Sequence, residues 1–179
     1  MACHDVHPIT IRVIDAAVDG GLGVSELLAG TVTLVAVSEV GEPLPDRDIS
    51  DAIRALGGVH VGRSGDDGVI VAFRRPTDAL TCAVTLQRTT GDPALLRVGV
   101  HTGELQHGAE TATLDRVHRL RDMAHPRQTL LSGTTSDLVL DQLPADAWLI
   151  EIGIHPLTAQ SRPERVMQLC HKDLPNDFP

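Results

Sequence analysis

The stretch GRSGDDGVIVAF, residues 62–73, sets a glycine-bracketed turn in front of the apolar run Val69–Phe73. Asp-Gly between two apolar runs is one of the stronger hairpin signals, because both residues tolerate the backbone of a tight turn. Val59–Val61 supplies the other arm, so the stretch predicts a β-hairpin. Asp66 and Asp67 in its turn either only shape the turn or also hold a ligand, and both interpretations are open at this point.

Helices and strands alternate on both sides of the hairpin. The predicted strands are 31–38, 59–61, 69–73, 96–101, 128–132, 147–153 and 164–170. The predicted helices are 46–56, 76–90, 112–124 and a short one within 134–143. TVTLVAVS, residues 31–38, is rich in β-branched residues and predicts a buried strand. The order β-α-β-β-α-β-α-β-α-β-β is typical of an α+β domain.

Composition narrows the functional classes. A chain of 179 residues fits one domain, and with 2% aromatic residues its core must be built from Val, Leu, Ile and Ala. The 15 basic and 24 acidic residues give a net charge of −9, which opposes binding to nucleic acid and to anionic membranes. Three scattered cysteines and the lack of a long apolar run favour a soluble protein of the reducing cytoplasm.

The first 29 residues fit no single structural template. An extra strand, an extra helix and a partner-binding arm all stay open for them, and the sequence predicts a domain at 30–179 preceded by an N-terminal extension at 1–29.

Six segments, taken in chain order, resemble the class III adenylate and guanylate cyclase catalytic domain. They are GTVTLVAVSEVG, GDDGVIVAF, PTDALTCAVTLQR, LRVGVHTGEL, LDRVHRLRDMAHPRQTLLSG and PERVMQLCHKDLPNDFP. The resemblance covers about residues 30–179 and is nearest to the bacterial subgroup often fused to ATPase and helix-turn-helix regulator modules. It implies a ferredoxin-like antiparallel sheet with helices on one face. It also implies head-to-tail pairing of two domains, with the active sites between protomers.

The resemblance implies a site for two divalent ions, Mg or Mn, held by two aspartates. Their positions in this chain are Ser38 and Asp67. A serine hydroxyl is a poor anchor for magnesium, which prefers carboxylate oxygens. Glu39 cannot simply replace the lost carboxylate, since strand alternation points it to the opposite face. The sequence therefore predicts a damaged metal site.

The resemblance also implies an asparagine and an arginine, four residues apart on a helix, that stabilise the transition state. Asp115 and Arg119 hold those positions. A carboxylate about 4 Å from a phosphate oxygen costs about 4 kcal/mol at an effective dielectric near 20, or about three powers of ten in rate. Arg63 stands where adenylate-type members carry a base-reading lysine, and its forked guanidinium reads a base differently.

Simpler interpretations compete with these roles. Asp115, Arg119 and their charged neighbours on the same helix are also typical of a solvated helix face. His101 is more typical of a packed histidine than of a catalytic base.

We therefore expect a degenerate cyclase homology domain with little or no cyclase activity. It would pair with itself or with another cyclase domain, and would bind a partner or a nucleoside triphosphate without turning it over. The alternative is a weak adenylate cyclase that uses Asp67 as metal ligand and Arg119 as transition-state stabiliser. A third interpretation, a DNA-associated regulator, is opposed by the net charge of −9.

Overall fold

The computed structural model describes residues 30–40, 46–63, 68–89, 95–105, 110–158 and 162–179. Their elements follow in the order β1 Gly30–Val40, α1 Asp46–Ala55, β2 Val59–Arg63, β3 Gly68–Phe73, α2 Pro76–Thr89, β4 Leu95–Leu105, α3 Glu110–Met123, β5 Thr129–Ser132, α4 Gly133–Val139, β6 Ala147–His155 and β7 Glu164–His171. The predicted order of strands and helices is confirmed. Strand β4 runs past its predicted end at His101 to Leu105, and the short helix predicted within 134–143 is α4. The predicted extension at 1–29 lies outside the described residues.

The seven described strands form one sheet in the order β2-β3-β1-β4-β5-β7-β6. The α+β class is confirmed, but the expectation of an antiparallel sheet is wrong for one pair. Strands β4 and β5 run parallel, with Val98 beside Thr129 and Val100 beside Leu131. Because α3 lies between these two strands in the sequence, the chain crosses back over the sheet and enters β5 in the direction of β4.

The expectation of helices on one face is also wrong. Val35 and Val37 of β1 pack with α2, whereas Leu34 and Ala36 pack with α3. Successive residues of a strand point to opposite faces, so α3 covers the face opposite α2. The physical reason is visible in β1, whose residues 32–37 are all buried and therefore need cover on both sides.

A close approach between β4 and α3 fixes the position of that helix. A Cβ atom at Gly99 would lie 2.4 Å from the backbone nitrogen of Arg121 and 2.5 Å from the carbonyl oxygen of Val117. Further along β4, a Cβ atom at Gly103 would meet the side chain of Thr113 at 3.0 Å. The backbone of α3 therefore rests directly on β4 where glycine leaves room.

No helix in the described part of the chain is long and apolar enough to cross a membrane. Cys82 and Cys170 are buried and free of disulfide bonds. Burial raises the pKa of the Cys82 thiol to about 12, so this thiol stays protonated and unreactive at neutral pH.

The contact at Gly99 gives a stability prediction. Gly99→Ala should lower the free energy of unfolding by about 3 kcal/mol or more, because neither backbone atom of α3 can move aside like a flexible side chain. Gly62→Ala is the matched control, since its Cβ atom would meet only the tip of Ile70, at 3.9 Å. Urea unfolding of both variants measures the difference, and equal stability would contradict the close packing of α3 on β4.

Candidate functional site

Near the end of β1, Ser38 lies between strands β3 and β4. In the sheet, Ser38 lies beside Gly68 of β3 and Arg97 of β4. Gly68 directly follows Asp67 in the sequence, but Asp67 itself lies outside the described residues. The structure thus places Ser38 next to the strand that leaves the predicted Asp-Gly turn. It gives no position for the aspartate predicted to share a metal site with it.

Glu39 lies on the opposite face from Ser38, as strand alternation predicts. Its neighbour on β4 is Leu96, which packs into the core on the α2 side of the sheet. Ser38 follows the alternation of Leu34 and Ala36, which pack on the α3 side. The Glu39 carboxylate therefore does not stand in for the carboxylate that the resemblance implies at Ser38.

Arg97 is a candidate site residue that sequence reasoning missed. It is half-buried, and its Nε is buried without a hydrogen-bond partner among the residues that the structure describes. As cross-strand neighbours, Arg97 and Ser38 project on the same face of the sheet. The signal lies in the strand register, which the sequence alone does not give.

The described residues at this end of β1 do not fit a divalent metal pair. Ser38 offers a neutral hydroxyl, and beside it Arg97 offers a positive charge that repels cations. Two divalent ions need bridging carboxylates. A guanidinium is instead suited to an anion such as a phosphate group.

The second half of the predicted site lies on α3. Leu114, Val117 and Leu120 form the buried face of this helix. Asp115 and Arg119 are exposed on the other side, where their spacing of four residues puts them on a common face as predicted.

Asp115 and Arg119 line a surface groove of about 410 Å³. His118 and Asp122 of α3 also line it, with Pro156, Leu157 and Thr158 after β6 completing the wall. Burial and the charge of Arg121 lower the pKa of His118, so its imidazole is neutral at pH 7. The groove thus combines one cation, two carboxylates and a neutral imidazole over an apolar wall.

Two arginines near this pair, Arg116 and Arg121, are largely buried in ion pairs, unlike the side chains of a uniformly solvated helix face. Arg116 is three-quarters buried and donates through Nε to Oε1 of Glu164 on β7, at 2.7 Å. Arg121 forms an ion pair with Asp122. Arg116 therefore anchors α3 to the sheet, while Asp115 and Arg119 remain on the surface.

Among the described residues, Ser38 does not line the groove that Asp115 and Arg119 line. Ser38 lies on β1, whereas the groove lies between α3 and the residues that follow β6, the edge strand beyond β5 and β7. Arg63, the predicted base-reading residue, ends β2, and its side chain lies outside the described part of the structure.

His101 is packed inside the domain, as the simpler interpretation expects. It is 5% exposed, and its Nδ1 lies 2.8 Å from Oγ of Ser132. Ser132 in turn contacts Thr135, whose hydroxyl donates to Thr102 at 3.1 Å. This chain of hydrogen bonds ties β4, β5 and α4 together around the buried His101.

The chain is similar to solved nucleotide cyclases. No family model matches the chain. The adenylyl cyclase CyaB from P. aeruginosa superposes with a TM-score of 0.63 at 18% identity, over 82% of this chain and 97% of that structure. An adenylate/guanylate cyclase/hydrolase from Silicibacter pomeroyi gives 0.62 at 19% identity, over 77% and 95%. The chain has the class III nucleotide cyclase fold.

Further matches have the same fold or a related sequence. The guanylyl cyclase Cya2 superposes with a TM-score of 0.56 at 18% identity, over 79% of this chain and 93% of that one. Among curated proteins, Rv0891c of Mycobacterium tuberculosis, described as uncharacterized, is 50% identical over 138 residues, which is 75% of this chain and 48% of the relative. Rv1359 of the same organism, also uncharacterized, is 40% identical over 144 residues, 74% and 57% respectively. The chain thus spans about half the length of these curated relatives.

The buried side chain of His101 gives a prediction about how stability depends on pH. Burial, helped by the charge of Arg116, lowers the pKa of His101 to about 4 from 6.5. As pH falls from 6.5 to 4, His101 becomes protonated in the unfolded chain but stays neutral in the folded protein. The free energy of unfolding should therefore fall by up to about 3 kcal/mol between pH 6.5 and pH 4, and this contribution is fully present above pH 6.5.

The measurement is the free energy of unfolding at pH 7 and at pH 4.5 for the wild type and for His101→Gln. The loss on acidification should be smaller in the variant, because it lacks the titrating imidazole. His155→Gln, outside the network, controls for removing a histidine. An equal loss in wild type and His101→Gln would show that His101 does not oppose protonation.

Proposed function

We propose that this chain is a degenerate cyclase homology domain of cyclic nucleotide signalling, with little or no cyclase activity of its own. Its role is then to bind and regulate a partner domain. The observation that carries the proposal is the end of β1, where Ser38 and Arg97 stand together and neither can anchor a metal ion.

The face of α3 supports the same conclusion. Asp115 lies exposed on the groove beside Arg119, where the resemblance implies a neutral asparagine. A carboxylate there opposes the negative charge that develops on a phosphate during cyclisation, while Arg119 would stabilise it. The two side chains therefore act against each other in any nucleotide reaction at this face.

The separation of the two half-sites supports pairing. Ser38 and the Asp115–Arg119 groove lie apart within one chain, so a complete site needs the groove of one domain against the β1 end of another. Solved proteins of this fold include a non-canonical dimeric guanylyl cyclase domain from Blastocladiella emersonii and adenylate cyclases of Trypanosoma brucei in a monomeric state. We propose that this chain forms a homodimer or pairs with another cyclase domain, and lowers the activity of the latter.

A nucleoside triphosphate is the small molecule we propose for the incomplete site. The half-buried guanidinium of Arg97 can take a phosphate oxygen without a metal pair. Binding without turnover would then stabilise the pair of domains.

Restoring the two lost groups tests the proposal. Ser38→Asp supplies the missing metal ligand, and Asp115→Asn removes a penalty of about 4 kcal/mol, or about a thousandfold in rate. The double variant should form cyclic AMP or cyclic GMP with Mn²⁺, while the wild type forms none above background.

Two controls accompany this assay. Ser38→Ala combined with Asp115→Asn has no added ligand and should stay inactive, and adding Asp67→Ala to the active double variant should abolish product. Wild-type product that disappears on Asp67→Ala would instead establish the weak adenylate cyclase. Inactivity of a folded double variant would show that other parts of the site are also lost.

A further inference from the structure

The segment that follows β7, residues 172–179, lies over the α3 side of the sheet. Val166 of β7 packs with Leu120 of α3, and Gln168 points to the same face by strand alternation. The backbone oxygen of Asn176 accepts a hydrogen bond from Nε2 of Gln168 at 2.8 Å, which places the segment across this strand. None of its residues is buried. We call residues 172–179 the strap.

Asn176 attaches the strap to the end of β7. Its Oδ1 accepts from the backbone nitrogen of His171 at 3.1 Å, and its Nδ2 donates to the backbone oxygens of His171 and Leu174 at 3.1 and 2.8 Å. The ion pair between Arg88 and Asp173 also reaches the strap, but it is exposed, and exposed ion pairs stabilise a protein weakly. Loss of the Asn176 side chain should therefore loosen the strap.

Two routes connect the strap with the end of α3. Nε2 of Gln128 donates to Oε1 of Gln168 at 2.7 Å, and Oε1 of Gln128 accepts from the backbone nitrogen of His125 at 2.8 Å. The strap also contacts His125 directly, because the ring of Phe178 stacks on the imidazole with the ring centroids 6.0 Å apart. His125 lies two residues beyond the end of α3. The strap is thus joined to the last turn of this helix.

The strap covers polar side chains as well as contacting α3. The two glutamines beneath it, Gln128 and Gln168, are 5% and 3% exposed. When the strap leaves, water can hydrogen-bond to both amides, so neither is left buried without a partner. Contacts of this kind belong to the parts of a protein that open locally at a low free energy. The strap is therefore attached in a way that allows its release while the domain stays folded.

We propose that the strap is a releasable element that sets the last turn of α3 and, with it, the groove. Asp122 lines the groove three residues before His125. With the strap in place, Phe178 and the glutamine pair fix His125 and so hold the end of the helix. Release frees this turn and lets Asp122 move relative to the opposite wall, residues 156–158. The strap thereby regulates the groove, whether or not the groove takes part in nucleotide chemistry.

Two buried thiols distinguish release of the strap from unfolding of the domain. Sγ of Cys170 and the strap both accept from Nε2 of Gln168, so this thiol lies beside the strap. Cys82 lies in the core between α2 and the sheet. One protein keeps Cys170 and carries Cys3→Ser and Cys82→Ala, and the other keeps Cys82 and carries Cys3→Ser and Cys170→Ala. Each is labelled with a thiol reagent, and its rate is divided by that of the unfolded chain.

Cys170 should react about tenfold or more faster than Cys82, because release of the strap exposes only Cys170, whereas Cys82 waits for global unfolding. Urea below the unfolding transition should accelerate the labelling of Cys82 strongly and that of Cys170 little, since release of the strap exposes far less surface than unfolding. This comparison needs no substitution in the strap.

Asn176→Ala tests the attachment of the strap. The substitution removes the three hydrogen bonds of the side chain, so the labelling rate of Cys170 should rise about tenfold or more. Asp177→Ala, at the neighbouring exposed position, is the matched control and should leave the rate unchanged. Circular dichroism confirms that both variants are folded.

Phe178→Ala tests the link between the strap and α3. Loss of the stacked ring should speed hydrogen exchange at the backbone amides of Ala124 and His125, both of which are hydrogen-bonded in the structure. Exchange in the first turn of α3 should stay as in the wild type. Asp177→Ala again serves as the control.

Two outcomes would overturn the proposal. Equal labelling rates and equal urea dependence for Cys170 and Cys82 would mean that the strap leaves only when the whole domain unfolds. Unchanged exchange at Ala124 and His125 in Phe178→Ala would mean that the strap does not hold α3. None of these measurements uses cyclase activity, so their outcome is independent of the proposed function.

Discussion

The contact between Gly99 and the backbone of α3 determines where the rest of the domain can place its functional groups. With no side chain at Gly99, α3 rests on β4 with Leu114, Val117 and Leu120 turned inward. Asp115 and Arg119 are then turned outward by the geometry of the helix. The ion pair between Arg116 and Glu164 fixes the same helix to β7, so the exposed pair has a defined orientation.

The sheet itself limits what the end of β1 can do. Six consecutive buried residues lead β1 through the core, and the strand delivers Ser38 to a position between Gly68 and Arg97. The strand register keeps Glu39 on the face opposite Ser38. Moving Glu39 to the face of Ser38 would shift β1 by one residue and turn every side chain of that strand to the other face. The described residues at this point thus offer a cation, Arg97, and no carboxylate on the face of Ser38.

Much of this could be predicted from the sequence, for identifiable reasons. The Asp-Gly turn, the β-branched run 31–38 and the helical spacing of the apolar residues are local signals, and they gave the order of the elements. The side of the sheet that each helix covers depends on long-range packing, so the position of α3 on the second face was not predictable from local signals. The uninterrupted apolar run of β1 held the clue, since a strand buried on both faces needs cover on both.

The candidate site likewise contains residues that local sequence signals could place and residues that depend on long-range packing. The exposure of Asp115 and Arg119 on one helix face follows from their spacing, and their placement was predictable. Arg97 was not, because its importance comes from lying beside Ser38, and strand register is not written in the sequence. Asp67 and the side chain of Arg63 lie outside the described residues, so their roles stay predictions.

Manganese-dependent formation of cyclic AMP and cyclic GMP by the unaltered chain tests the central claim most directly. A folded protein that binds a nucleoside triphosphate and releases no cyclic product is the result expected of a cyclase fold without its metal pair. Steady product formation that requires Asp67 would contradict the account and would establish that one carboxylate suffices.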